Sequence, residues 1–157
     1  MTQKSFNNKT IVLGVTGGIA VYKACEIVRL LTIGGANVRV VMTKGAQQFV
    51  TPMTFQALSR NPVHTDIFDL TQESAMGHIQ LADSADLILV APATADFLAK
   101  VAHGLCDDLL STLICATRAP VLFAPAMNVH MYENPITEEN IAQLKKHGYQ
   151  MIGPAMG

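Results

Sequence analysis

The 157-residue sequence is poor in charged residues and contains no run of like charges. Charged side chains make up 15% of the chain, against about 25% in an average globular protein. Because disordered segments are polar and highly charged, this deficit argues against disorder, and it suggests surface buried in subunit contacts. Eleven basic and twelve acidic residues give a net charge of −1, which argues against a nucleic-acid footprint or a basic membrane patch.

The sequence also lacks the marks of a disulfide scaffold, a secreted protein or a membrane protein. The number of cysteines, three, is odd, and no two of them are spaced as CxxC. We therefore expect free thiols and a cytoplasmic location. No apolar stretch reaches the roughly 18 residues of a membrane span, and the polar first ten residues contain no signal-peptide core. Cys25 and Cys115 are predicted to be small core residues. We expect no metal site, because His103 and Cys106 lack further ligands at suitable spacing.

Short, continuous apolar runs predict strands that are buried on both faces, as in a parallel sheet covered by helices. They are IVLGV at 11–15, VRVVM at 38–42, DLILVAP at 86–92 and VLFAP at 121–125. Between them lie segments with helical character at 19–33, 52–59, 95–103, 107–117 and 135–147, and a last strand is expected at 149–152. In the first helix we expect one apolar face made of Ile19, Tyr22, Ile27, Leu30 and Leu31. The alternation predicts an α/β fold with a doubly wound, mostly parallel open sheet, in one domain over 1–157.

A glycine-rich turn follows the first predicted strand. Thr16-Gly17-Gly18-Ile19 opens a helix, and such a turn presents free amides and a positive dipole end to a phosphate. It is neither GxGxxG nor a P-loop, and no acidic residue ends the second strand to hold a ribose. The pattern therefore favours a mononucleotide phosphate over a dinucleotide or ATP. A tight strand-to-helix turn without a ligand is the alternative.

Other candidate site residues follow the later strands, where open α/β sheets hold their ligands. Thr43 follows the second strand, and it could touch the same ligand or cap a helix. The small residues 93–96 follow the third strand, where a flat ring could approach, or Thr94 could simply cap the next helix. Asn128 follows the fourth strand, and it offers an amide donor to a carboxylate or forms a turn. His78 could transfer protons near neutral pH, or be a surface or capping histidine.

Together these motifs resemble the flavin-dependent cysteine decarboxylases. TGGIAVYK looks like the phosphate-binding turn of that family, and APATADFLAK looks like its PASANT flavin motif, with Thr94 for Ser and Asp96 for Asn. PAMNVHMY looks like its PxMNxxMW motif, ending in Tyr132 instead of Trp, and MGHIQLA resembles the segment that carries its active-site histidine. Within the family the likeness is strongest to the phosphopantothenoylcysteine decarboxylases of coenzyme A biosynthesis.

This resemblance implies FMN as the cofactor and a flavin site formed between the subunits of a homotrimer, which can assemble further into a dodecamer. It implies that the flavin oxidises the substrate's cysteine thiol to a thioaldehyde, after which carbon dioxide leaves. His78 would assist the oxidation as a base, and Asn128 would hold the departing carboxylate. The implied cofactor contacts are Gly17, Gly18, Ile19, Thr43, Ala93, Thr94, Ala95 and Asp96.

The resemblance leaves open which cysteine derivative is the substrate. The expected substrate is 4'-phosphopantothenoylcysteine, and a peptide with a C-terminal cysteine is the main alternative. A non-catalytic regulatory flavoprotein is a further alternative, and flavin prenyltransfer is disfavoured because that group lacks the PAMN motif. The coenzyme A enzymes use a cysteine on a substrate-covering loop, and none of Cys25, Cys106 or Cys115 matches it. We therefore expect a domain that lacks this C-terminal loop and a fused synthetase domain, and that completes the reductive step poorly.

Overall fold

A single parallel sheet forms the centre of the molecule in the computed structural model, which describes residues 5–67 and 77–153. Within these ranges the sheet has five strands in the order β2-β1-β3-β4-β5, and every pairing is parallel. The strands are β1 (Thr10–Val15), β2 (Asn37–Met42), β3 (Leu87–Ala93), β4 (Val121–Pro125) and β5 (Gln150–Met151). The helices are α1 (Val21–Ile33), α2 (Pro52–Ser59), α3 (His78–Ser84), α4 (Ala95–Ala102), α5 (Leu109–Ala116), α6 (Val129–Glu133) and α7 (Pro135–Lys146).

Helices cover both faces of the sheet, which explains why the strand sequences are continuously apolar. In β1, Ile11, Leu13 and Val15 belong to the core beneath α1 and α2, whereas Val12 belongs to the core beneath α3, α4, α5 and α7. Successive side chains of a strand point to opposite faces, so both sets must be apolar. The predicted doubly wound α/β fold is confirmed.

Gly14 in β1 allows α5 to approach the sheet closely. A Cβ atom at this position would lie 2.5 Å from Cδ1 of Leu110, a side chain that is 1% exposed. The residues on either side of Gly14 in β1 carry bulky apolar side chains, and the Leu110 side chain occupies the space that a side chain at Gly14 would need. The position of α5 matters for function, because its N-terminal end faces the cleft described below.

Several predictions about individual elements were wrong. Helix α1 begins at Val21 and buries Val21, Ala24 and Val28, while Ile19 and Tyr22 are 79% and 61% exposed. Of the predicted apolar face, Ile19, Tyr22 and Leu30 are exposed in the isolated chain, whereas Ile27 and Leu31 are partly buried against the core. Cys115 is exposed and not a core residue. Residues 68–76, which precede His78 in the sequence, lie outside the described residues.

No helix in the two described ranges is long and apolar enough to cross a membrane. The same ranges contain no group of three or more His, Cys, Asp or Glu side chains that could hold a metal ion.

Candidate functional site

A cleft of about 1720 Å³ opens at the carboxyl ends of the parallel strands. In the order β2-β1-β3, the connections that leave β1 and β3 run to opposite sides of the sheet. Ligands of open α/β sheets bind at such a switch point, here between β1 and β3. Most of the residues predicted as cofactor contacts line the cleft, together with one of the two predicted catalytic residues. Those lining it are Gly17, Gly18, Ile19, Thr43, Thr94, Ala95, Asp96 and Asn128.

The turn between β1 and α1 presents unpaired backbone amides to this cleft. The amides of residues 17–20 donate to no acceptor in the described parts of the chain, and no side chain caps α1. Because α1 has 13 residues, its peptide dipoles add a positive potential at this end. Free amides and a positive helix end together suit a phosphate group.

The β1–α1 turn and the segment after β2 touch through two glycines. A Cβ atom on Gly17 would lie 2.7 Å from the carbonyl carbon of Gly45 and 2.8 Å from its Cα. A Cβ on Gly45 would lie 3.3 Å from Cα of Gly17. Thr43, beside this contact, accepts a 3.2 Å hydrogen bond from the Ala46 amide and lines the cleft. It is not the capping residue of a helix, because the short 3-10 turn at Ala46–Gln48 is capped by Gly45.

Thr16 joins the ends of β1 and β3, a role that the sequence did not predict. Its hydroxyl donates to the Pro92 carbonyl at 2.6 Å and accepts from the Thr94 amide at 3.0 Å. The side chain is 2% exposed, so both bonds lie in a buried environment. Thr16 therefore fixes the glycine turn against the segment that follows β3.

Helix α4 begins just after β3 and is capped by Thr94. The Thr94 hydroxyl accepts a 3.1 Å hydrogen bond from the Phe97 amide, which confirms the capping alternative. Thr94, Ala95 and Asp96 also line the cleft. Ala93, predicted as a ring contact, is fully buried within β3 and is not among the lining residues.

Asn128 caps α6 with one end of its amide and leaves the other end available. Its Oδ1 accepts a 2.9 Å hydrogen bond from the Met131 amide. Its Nδ2 has no hydrogen-bond partner among the described residues, and the residue is exposed at the cleft. The cap thus orients the Nδ2 group as a donor without adding charge.

His78 lies apart from the cleft of its own chain. It is the first residue of α3, follows the capping residue Gly77, and is half-buried. It is not among the residues that line the cleft. The single chain therefore does not bring together the two predicted catalytic residues, His78 and Asn128.

Three lysines and Asp107, none of which the sequence analysis selected, also line the cleft. Lys100 lies 3.2 Å from Oδ2 of Asp107 and 3.7 Å from Oδ2 of Asp96. Burial acts to lower the pKa of the Lys100 ammonium, but the hydrogen bond with Asp107 and the surrounding carboxylates outweigh it and raise this pKa. Lys23 and Lys44 line the cleft as well, and neither forms an ion pair with a described residue.

Comparison with known proteins places these features in a family. The sequence profile of the Flavoprotein family matches residues 1–157. The chain is 53% identical over 151 residues to the coenzyme A biosynthesis bifunctional protein CoaBC of Bacillus subtilis, covering 96% of this chain and 37% of that protein. The chain thus spans well under half the length of this curated relative.

Solved structures show the same fold. The FMN-dependent cysteine decarboxylase SpaF is 32% identical, with a TM-score of 0.88 over 97% of this chain and 87% of SpaF. A PPC decarboxylase variant complexed with pantothenoylaminoethenethiol is 30% identical, with a TM-score of 0.79 over 94% of this chain and 82% of its own. By profile, sequence and fold, the chain belongs to the flavoprotein family, which confirms the resemblance that its motifs indicate.

Proposed function

We propose that this chain binds FMN and catalyses the decarboxylation of 4'-phosphopantothenoylcysteine toward 4'-phosphopantetheine in coenzyme A biosynthesis. The observation that carries the proposal is the meeting of the glycine turn, Thr43, residues 94–96 and Asn128 in one cleft. The 53% identity to a coenzyme A biosynthesis protein favours this substrate over a peptide. The cleft exceeds the roughly 300–1,000 Å³ of ordinary ligand pockets, so a cofactor and a substrate can share it.

The residues of the cleft fit the cofactor. The free amides of residues 17–20 can donate to the phosphate, and the Lys23 and Lys44 ammonium groups lie at the same cleft to balance its charge. The small residues Gly18 and Ala95 leave space for a flat ring beside the backbone. When bound, FMN supplies the two-electron oxidation that makes loss of carbon dioxide easy, and the chain contributes binding and orientation.

Asn128 is proposed to hold the substrate carboxylate. Its Nδ2 is a neutral donor, so it can bind the carboxylate without the added attraction of a positive charge, which would stabilise the ground state and oppose departure. The Met131 amide fixes the side chain through the bond to Oδ1. An aspartate here would keep the cap but replace the donor by a repelling charge.

His78 is proposed to complete the site from a second copy of the chain within a homotrimer, or within a dodecamer built from trimers. Two observations support this arrangement. His78 does not line the cleft of its own chain, and large apolar side chains stand exposed on the isolated chain. Examples are Ile19 at 79%, Met53 at 77% and Val129 at 63% exposure. A cytoplasmic location is part of the proposal, since the substrate belongs to central metabolism.

Mixed oligomers test the shared site. His78→Asn and Asn128→Asp chains, each inactive alone, would be co-expressed with different tags and purified as mixed assemblies. If each site takes His78 from one copy and Asn128 from another, one site in three is restored in every mixed trimer, which is about a quarter of the sites when trimers of a single kind are counted as well. No recovered activity in verified mixed assemblies would place both residues in one chain and reject the shared site.

The substrate proposal is tested by comparing two thiols. The FMN-loaded protein would be incubated with 4'-phosphopantothenoylcysteine or with a peptide that ends in cysteine, and the products followed by mass spectrometry. We expect decarboxylation of the first at a much higher kcat/KM than of the second. A preference for the peptide would reject the proposed substrate, and no turnover of either would favour a non-catalytic flavoprotein.

A further inference from the structure

Thr117 connects α5 to α3, the helix that carries His78. It is the residue at which α5 ends, and its amide donates a 2.9 Å hydrogen bond to the Leu113 carbonyl. Its hydroxyl donates to the Ala82 carbonyl of α3 at 3.1 Å and accepts from the Ala119 amide at 3.0 Å. Because the hydroxyl is used both as a donor and as an acceptor, the orientation of the Thr117 side chain is fixed.

The bond to Ala82 matters because α3 is short. The helix has seven residues, so its own backbone hydrogen bonds hold it weakly and its packing determines its position. Leu81 and Ala82 are 0% and 2% exposed, and they belong to the same core as Leu113 of α5. The last four carbonyls of a helix have no partner within the helix, and the Ala82 carbonyl is one of them. The Thr117 hydroxyl supplies that partner from a neighbouring element.

We propose that Thr117 is a positioning residue for His78, which it holds in place by fastening α3 to the end of α5. Ala82 follows His78 by four residues, about one helical turn, so a shift of α3 on α5 moves the imidazole as well. A displacement of about 1 Å at a reacting group can cost roughly 100-fold in rate. The inference rests on the proposed decarboxylase function, in which His78 acts as the base in the oxidation of the substrate thiol.

Thr117 lies away from the residues proposed to bind FMN and substrate. It is not among the described residues that line the cleft. Leu109 and Leu110, in the first turn of α5, do line the cleft, and eight residues, about 12 Å of helix, separate Leu109 from Thr117. A substitution at Thr117 should therefore leave the binding of FMN and substrate unchanged and slow the step that needs His78.

Ser84 provides a matched control. Its hydroxyl donates a 3.0 Å hydrogen bond to the Leu81 carbonyl, which is another of the last four carbonyls of α3, but both residues belong to the same helix. Thr117→Val and Ser84→Ala thus each remove one hydroxyl bond to the end of α3. Only Thr117→Val removes a bond between α3 and α5, whereas Thr117→Ser retains the hydroxyl.

Steady-state kinetics of the FMN-loaded chains with 4'-phosphopantothenoylcysteine test the proposal. We expect Thr117→Val to lower kcat for carbon dioxide release roughly tenfold, with KM and the dissociation constant of FMN unchanged. Thr117→Ser should restore most of this kcat, and Ser84→Ala should leave it at the wild-type value. Hydrogen exchange of the amides of residues 81–84 should be about fivefold faster in Thr117→Val than in the wild type, because opening of α3 no longer breaks the bond to Thr117.

An unchanged kcat in Thr117→Val, or an equal loss of kcat in Ser84→Ala, would overturn the proposal. A loss of FMN binding or of the folded structure in Thr117→Val would overturn it as well, because the hydroxyl would then have a general role in stability. A wild-type chain that releases no carbon dioxide would reject the proposed function instead. The exchange measurement needs no turnover, and equal exchange in Thr117→Val and wild type would show that Thr117 does not hold α3.

Discussion

Substitution of Gly17 by alanine tests the contact that holds the phosphate-binding turn in place. The added Cβ would lie 2.7 Å from the carbonyl carbon and 2.8 Å from the Cα of Gly45. Both are backbone atoms, so no side-chain rotation can relieve the overlap, and one of the two segments must move. Gly18 is a matched control, because a Cβ there would meet Cγ2 of Thr94 at 3.7 Å, an ordinary van der Waals distance.

The size of the effect follows from the cost of overpacking. Forcing an extra methyl group into a tightly packed position costs about 1–3 kcal/mol. In a domain of this size that corresponds to a fall of roughly 3–9 °C in Tm. Gly18→Ala should change the free energy of unfolding by less than about 0.5 kcal/mol. The displaced amides should also weaken FMN binding to Gly17→Ala.

Thermal unfolding of the flavin-free proteins, followed by circular dichroism, measures the first effect, and flavin fluorescence quenching measures the second. A stabilising or neutral Gly17→Ala substitution would refute the close contact with Gly45. So would an equal loss of stability in the two variants, because the argument depends on their different surroundings.

Three further substitutions test other parts of the site. Thr16→Val keeps the side-chain shape but removes buried hydrogen bonds of 2.6 and 3.0 Å. Chemical denaturation should show that the free energy of unfolding falls by about 1–3 kcal/mol, and Thr16→Ser should largely restore it. Equal stability of Thr16→Val and wild type would contradict this role. Asn128→Asp retains the oxygen that caps α6, so Tm should stay within about 2 °C of wild type. The decarboxylation rate should nevertheless fall at least tenfold. Unchanged turnover would contradict the proposed role of Asn128 in binding the carboxylate. The pKa of Lys100 is raised above its ordinary value of about 10.4, so its ion pair with Asp107 stabilises the folded chain below that pH and is lost as the pH rises through the folded-state pKa. The stability difference between wild type and Lys100→Met, measured by urea denaturation, should therefore be small at pH 7 and vanish at strongly alkaline pH, and a difference that grows with pH would contradict the sign.

The meeting of the candidate residues at one cleft could be predicted from the sequence, because parallel strands direct their carboxyl ends to one edge of the sheet. The strand boundaries were recognisable from continuous apolar runs, and residues 17, 43, 94 and 128 each follow such a run. The role of Thr16 could not be predicted in this way. Its hydrogen bonds depend on how the end of β1 lies against the end of β3, which only the sheet register determines.

The first helix shows where periodicity fails. Ile19 fits the apolar spacing, but it lies in the turn before α1 and is exposed, and the buried face is made by Val21, Ala24 and Val28 instead. A pattern of apolar residues does not distinguish a core from a surface that another subunit covers.

The most direct test of the account is release of labelled carbon dioxide. The FMN-loaded chain would be supplied, without oxygen, with 4'-phosphopantothenoylcysteine that carries carbon-13 in the cysteine carboxyl group. We predict that labelled carbon dioxide forms in proportion to the substrate consumed, and that it forms only when the flavin is bound. A chain that holds FMN firmly while the label stays in the substrate would contradict the proposed function.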